Sequence, residues 1–208
     1  MTMKERIRAG KLFTDDCEGM PGERERAKML MRAFNETDPG ELEKRKELLD
    51  EILAKPADVW IEPPIYFCYG SHISIGNGTY INFNCNFVDD VSITIGEKVL
   101  LGPAVTIATV GHPVNPAMRE YMYADPVIIE NNCWIGAGAV ICPGVRIGEN
   151  SVIGAGSIVT KDIPPNCVAV GNPCRVIREI DDRDKKYYYK DRKIDKADLL
   201  EEAELRNS

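Results

Sequence analysis

Between Ile75 and Ile158 the chain repeats itself every six residues, and no other feature restricts its fold as tightly. Written in sixes from Ile75 the blocks are IGNGTY, INFNCN and FVDDVS. After a two-residue slip at Ile93-Thr94 they resume as IGEKVL and LGPAVT, and after a longer break as IENNCW, IGAGAV, ICPGVR, IGENSV and IGAGSI. The first position is apolar in all ten blocks, and the second is Gly in six, where 17 glycines in 208 residues would place fewer than one by chance. The fifth is small, Val or Thr throughout: Thr79, Cys85, Val99, Ala139 and Ser151 are examples. Neither the 3.6-residue period of a helix nor the two-residue period of a strand gives this pattern, and so many glycines would weaken a helix. A six-residue period predicts a mainly β fold, a parallel β-helix in which each block is one short strand and its turn. Three blocks make a triangular coil, with the first residue filling the axis and the fifth fitting a cramped corner. The pairs Gly136/Gly138 and Gly154/Gly156 then belong to the repeat, since neither continues to the third Gly of a dinucleotide fingerprint.

The flanks read differently. Residues 1 to about 60 are helical in pattern: Ala27, Leu30, Met31 and Phe34 follow amphipathic spacing. Asp38-Pro39 supplies a cap and first-turn proline for a second helix carrying Leu42, Leu49, Ile52 and Leu53, which Lys55-Pro56 ends. Three parts follow: a helical segment 1–60, a coil domain 61–180 with an insertion at 108–128, and a charged arm or tail 181–208 around Tyr187, Tyr188 and Tyr189.

A net charge of −7 gives no long-range attraction for nucleic acid or an anionic membrane. The longest mostly apolar stretch, Val99 to Val110, is broken by Gly102 and Pro103 and is too short to span a bilayer. The charged beginning Lys4-Glu5-Arg6 lacks an apolar export signal. Seven cysteines, an odd number without a CxxC pair, argue for reduced thiols in a cytoplasmic protein, with Cys85 and Cys133 as packing residues at the fifth position.

The insertion at 108–128 is too long for a structureless connection in a compact fold and carries His112, one of two histidines. Histidine is the side chain suited to moving a proton near neutral pH, which makes His112 the candidate base. A β-helix can also hold a catalytic zinc ion, but that needs three histidine ligands, and only His72 and His112 exist. A purely structural solenoid would show a threonine ladder on one face, which Thr79, Thr94, Thr106 and Thr160 do not make.

Six segments carry a family resemblance: ERIRAGKLFTDDCEG, EPPIYFCYGSHISIG, NFNCNFVDD, GHPV, GENSVIGAGSIVTKDIPPN and GNPCRVIREI. Together they resemble the hexapeptide-repeat acyltransferases, and within them the galactoside and maltose O-acetyltransferases, through nearly the whole chain. The resemblance implies a left-handed coil, a homotrimer with active sites between subunits, and acetyl-CoA as acetyl donor, with no metal. It implies direct transfer to a hydroxyl of a galactoside or related sugar, the 6-hydroxyl in the family, with maltose, glucose or a chloramphenicol-type hydroxyl as alternative acceptors. His112 matches the family's general base. Acceptor contacts fall on Asp15, Cys68, Asn82 and Asp90, with Cys68 standing where the family pattern has Ser and nearby His72 where it has Asn. Coenzyme A contacts fall on Ala137, Ala155, Thr160, Lys161, Arg175 and Arg178, and the amide near Ala137 is the candidate donor to the developing oxyanion.

Overall fold

The computed structural model describes residues 1–16 and 18–195. Expectations for Cys17 and for residues 196–208 of the arm lie outside the described residues. Residues Met1–Arg178 form one compact unit and Glu179–Ser208 a second. No helix among the described residues is long and apolar enough to cross a membrane.

The hexapeptide pattern folds into stacked parallel coils with three walls. The first wall stacks Trp60–Ile61, Tyr80–Ile81, Leu100–Leu101, Trp134–Ile135, Val152–Ile153 and Cys167–Val170, and ends with Arg175–Glu179. Ile65–Phe67, Cys85–Val88, Thr106–Ala108, Val140–Ile141 and Ile158–Val159 make the second, and Ile73–Ile75, Ile93–Ile95, Val127–Ile129 and Arg146–Ile147 the third. Register is kept coil to coil, Tyr80 pairing with Leu100 and Leu100 with Trp134. All ten first-position residues are buried, and they form the axis of the core with Ile93, Ile107 and Ile163.

The second-position glycines have a steric cause. A Cβ built on Gly136 would meet the Ala155 amide nitrogen at 2.5 Å, and one on Gly148 would meet the Pro165 nitrogen at 2.4 Å. The next coil's backbone occupies the space of a side chain. The fifth-position groups bridge coils as well as pack. Thr79 Oγ1 donates to the Gly96 carbonyl at 2.8 Å, and the Cys133 thiol to the Gly148 carbonyl at 3.2 Å. Burial pushes the Cys85 and Cys133 thiols up to about 11.

Three helices precede the coils. Helix α1 (Met3–Arg8) starts in a capping box of Thr2 and Glu5. Helix α2 (Met20–Asn35) buries Met20, Ala27 and Phe34, and Asn35 fastens it to the first coil through both hydrogen bonds of Ile65's backbone. Helix α3 (Leu42–Ile52) starts later and ends earlier than the sequence predicts. Asp38 and Pro39 lie before it, because the Glu41 carboxylate turns back to accept the Asp38 amide at 2.9 Å. Leu53 caps its end in extended backbone, and its amide still reaches Leu49, so Lys55-Pro56 comes after the helix has stopped.

Within the second unit, Tyr187–Tyr189 pairs antiparallel with Arg192–Lys193, and the Arg183 guanidinium lies 4.7 Å over the Tyr187 ring.

Candidate active site

The insertion leaves the coil at the edge between the second and third walls. Its stem is fixed by Thr109, fully buried, whose hydroxyl donates to the Val88 carbonyl at 2.8 Å and accepts the Val91 amide at 3.2 Å. Val110–Gly111 then pairs antiparallel with Tyr123–Ala124. Gly111 leaves room for the Tyr123 ring tip, since a Cβ there would sit 2.4 Å from the Tyr123 hydroxyl unless that ring moved. The next residue, His112, emerges exposed from this hairpin. Its Nδ1 lies 2.8 Å from the Arg119 carbonyl oxygen and 3.0 Å from that of Tyr121. Carbonyl oxygens only accept, so Nδ1 carries the hydrogen and Nε2 of the neutral ring keeps a lone pair.

The N-terminal segment braces the loop. Phe13 and Met122 exchange two backbone hydrogen bonds, at 3.0 and 2.8 Å, and the Phe13 side chain is buried. Two residues on, Asp15 is ion-paired with Arg24 of α2, and Arg24 also reaches Asp16. The Arg24 charge is also felt by Tyr69, Cys68 and Asp90. The fold therefore collects Asp15, Cys68 and Asp90 around one guanidinium at the same edge as the insertion. Sequence reasoning missed Arg24 and Tyr69, whose partners lie far along the chain and follow no repeat.

Asp89 and Asp90 have different roles. Asp89 is fully buried, and its carboxylate accepts the amides of Cys68 (2.8 Å), Tyr69 (3.0 Å) and Gly70 (2.7 Å), which shapes the turn one coil below. Asp90 faces a cleft of about 360 Å³ whose other lining includes Ile7 and Met20 from the helices and Tyr69 and His72 from the coil. Burial, and then the adjacent Asp89, push the Asp90 carboxyl up. Burial pushes the Cys68 thiol up to about 11, the two carboxylates adding to it, so this cysteine is a protonated, weak polar group.

The remaining sequence candidates lie elsewhere. Asn82, Ala137 and Ala155 sit at the edge between the first and second walls, where Asn82 accepts the Phe83 amide at 2.8 Å and both alanines are exposed. The Ala137 carbonyl accepts the Gly156 amide at 2.8 Å, so the two alanines occupy successive coils. Thr160 and Lys161 return, exposed, to the insertion's edge, while Arg175 and Arg178 lie on the exposed strand that ends the first wall. The second-wall stretch from Ala104 to Thr109, five residue steps, separates the two edges by roughly 15 Å of extended chain. Within one chain the candidates thus form two groups on different edges.

Comparison with known proteins follows the same lines. Residues 126–161 match the family described as the hexapeptide repeat of succinyl-transferase, and residues 6–56 match the maltose acetyltransferase hexapeptide capping motif. The chain is 58% identical over 200 residues to the galactoside O-acetyltransferase of Escherichia coli strain K12, covering 95% of this chain and 98% of that protein. It superposes with a TM-score of 0.92 on a galactoside acetyltransferase in complex with coenzyme A, at 59% identity, covering 94% of this chain and 99% of the other. A maltose O-acetyltransferase from Clostridium difficile 630 gives a TM-score of 0.85 at 45% identity, covering 88% and 99%.

Proposed function

The chain belongs to the galactoside O-acetyltransferase family of hexapeptide-repeat acyltransferases, and from that premise we propose that it moves an acetyl group from acetyl-CoA to a hydroxyl, the 6-hydroxyl, of a galactoside or related sugar. The observation that carries the chemistry is the state of His112. Its Nδ1 hydrogen is held by two carbonyl oxygens, which leaves Nε2 to accept a proton. Acetyl-CoA, bound as co-substrate, supplies the activated acetyl group. Nε2 takes the sugar hydroxyl's proton as that oxygen bonds to the acetyl carbon, and returns it to the coenzyme A sulfur as the thioester bond breaks. The imidazolium formed between these steps is steadied by the Arg119 and Tyr121 carbonyls. The Ala137 amide donates to the oxygen on which negative charge develops. Transfer is direct, because the half-buried, protonated Cys68 thiol is a poor nucleophile.

Acceptor binding falls to Asp15, Cys68 and Asp90 with Asn82, and the helical segment 1–60 closes over the cleft that holds the sugar. Coenzyme A fits the residues assigned to it. Ala137 and Ala155 leave a strip of the edge with little side chain for the pantetheine arm, and Thr160, Lys161, Arg175 and Arg178 supply a hydroxyl and cations for its phosphates.

The two groups of candidates lie on different edges, so we assign each active site to two subunits of a homotrimer. The outward row Trp60, Leu100 and Trp134, each about half exposed on the first wall, offers an apolar surface for a second copy to cover. We take the coil to be left-handed, as the resemblance implies. We place the protein in the cytoplasm, a setting that suits six described cysteines without a disulfide among them.

Maltose is the second reading for the acceptor, supported by the match of residues 6–56 to the maltose acetyltransferase capping motif. The test is thiol release from acetyl-CoA with isopropyl-thiogalactoside, maltose, glucose and chloramphenicol in parallel. Strongest release with the thiogalactoside is expected. Strongest release with maltose or chloramphenicol would move the acceptor, and no release with any would refute the assignment.

A further inference from the structure

We propose that His72 is an acceptor-binding residue whose Nε2 accepts a hydrogen bond from one sugar hydroxyl while Asp90 accepts from its neighbour, so that acceptor affinity follows the protonation of His72. This rests on the function proposed above and extends it to a substrate feature, a vicinal pair of hydroxyls.

The geometry points to Nε2. His72 Nδ1 lies 2.6 Å from the Asp89 carbonyl oxygen, which can only accept, so Nδ1 holds the hydrogen of the neutral ring. The ring also packs against Tyr69, with centroids 4.9 Å apart and planes tilted by 31°. Asp89 in turn is tied through its carboxylate to three amides of the turn before His72. The imidazole is therefore held from two sides, and it lines the cleft together with Asp90. Among the described residues no hydrogen bond reaches Nε2. The mechanism assigns this nitrogen nothing, yet its ring shares a cleft with a carboxylate expected to bind the sugar. Two adjacent acceptors match two adjacent hydroxyl donors.

The charged groups around the ring give the direction of the pH effect. Asp89 and Asp90 come from the neighbouring coil, Lys4 and Arg8 from α1, and Glu23 and Arg24 from α2. Lys4 is paired with Glu23 at 2.5 Å, and Arg24 with Asp15 and Asp16, which leaves Asp90 as the carboxylate within the cleft that no ion pair takes. When the ring takes a second proton, Nε2 becomes a donor and Asp90 accepts from it. Both sugar-binding lone pairs are then withdrawn together.

The test compares wild type with His72→Asn, which keeps an amide hydrogen for the Asp89 carbonyl but lacks the far nitrogen, and His72→Gln, which restores a non-titrating polar group farther out. Wild-type acceptor KM should rise as pH falls from about 8 to 5.5. In His72→Asn it should be raised roughly three- to tenfold at neutral pH, and its pH dependence flattened, with acetyl-CoA KM within about twofold. His72→Gln should recover most of the affinity but not the pH dependence. An Asn variant with wild-type acceptor KM and pH profile would overturn the proposal. If it fails to fold, the Gln variant's pH profile decides in the same way. If wild type acetylates none of the sugars, the proposed function fails separately. Nitrogen NMR of the two imidazoles during thiogalactoside titration then judges His72: a shift at its Nε2 upholds the inference, and no shift overturns it.

Discussion

His112 Nδ1 sits 2.8 Å from the carbonyl oxygen of Arg119, seven residues further along the same loop, so the loop itself sets the protonation pattern of the ring it displays. Removing the ring should therefore remove the base and little else. His112→Ala is expected to lower kcat by at least ~10²-fold, the usual worth of a general base, with coenzyme A binding unchanged by calorimetry. Near-wild-type turnover would end the assignment.

A site divided between subunits predicts complementation. His112→Ala and Asn82→Ala chains, each impaired alone, should regain about a quarter of wild-type activity when unfolded together and refolded as an equal mixture, because random assembly gives that fraction of sites both intact halves. Activity that stays at the level of the separate variants would place both residues in one chain's site. A sedimentation mass of a single subunit would do the same.

The acceptor-binding role proposed for Asp90 conflicts with stability. Its folded pKa is raised by burial and then by Asp89. A carboxyl raised in this way favours the fold while protonated, and that contribution is lost as pH rises through the folded value. Asp90→Asn, neutral at every pH, should therefore melt above wild type at pH 8, with the gap closing as pH falls below about 4, while acceptor KM rises. A melting difference that is independent of pH would show that the charge is not the cause.

Glycines at the second repeat position that face the next coil's backbone should tolerate no side chain. Gly136→Ala places a methyl 2.5 Å from the Ala155 nitrogen, a backbone atom that cannot step aside, and should cost roughly 1–3 kcal/mol in thermal or urea unfolding. Gly22→Ala in α2 meets nothing within 4 Å and should instead stabilise, by about 0.5–1 kcal/mol. Equal effects at the two positions would contradict the steric account.

The coils were legible in the sequence because their contacts recur: Ile75, Ile95 and Ile129 announce the same wall by repeating at the same place in the period. His112 stood out for the opposite reason, as a side chain suited to proton transfer inside the longer break in the repeat. Contacts that occur once were not legible. Nothing in the local sequence of α2 says that Arg24 pairs with Asp15 and that its charge acts on Tyr69, since all three lie on different elements. The start of α3 was misread for a related cause. Asp38-Pro39 has the composition of a helix start, but the Glu41 side chain occupies the Asp38 amide and the helix begins afterwards. The role of Asp89 as the anchor of a turn twenty residues earlier in the chain, rather than a corner carboxylate like its neighbour, needed the coil register to be seen.

After the insertion, Val127, Ile128 and Ile129 pair with Ile93, Thr94 and Ile95, the third-wall strand of the coil below. The chain rejoins the stack where it would have arrived without the detour. Descendants of such a sequence can exchange the detour for one of another length or chemistry while every rung of the stack keeps its neighbours. The loop carrying the proposed base and the scaffold that holds it are thereby free to diverge at different rates, and a new acceptor need not come with a new architecture.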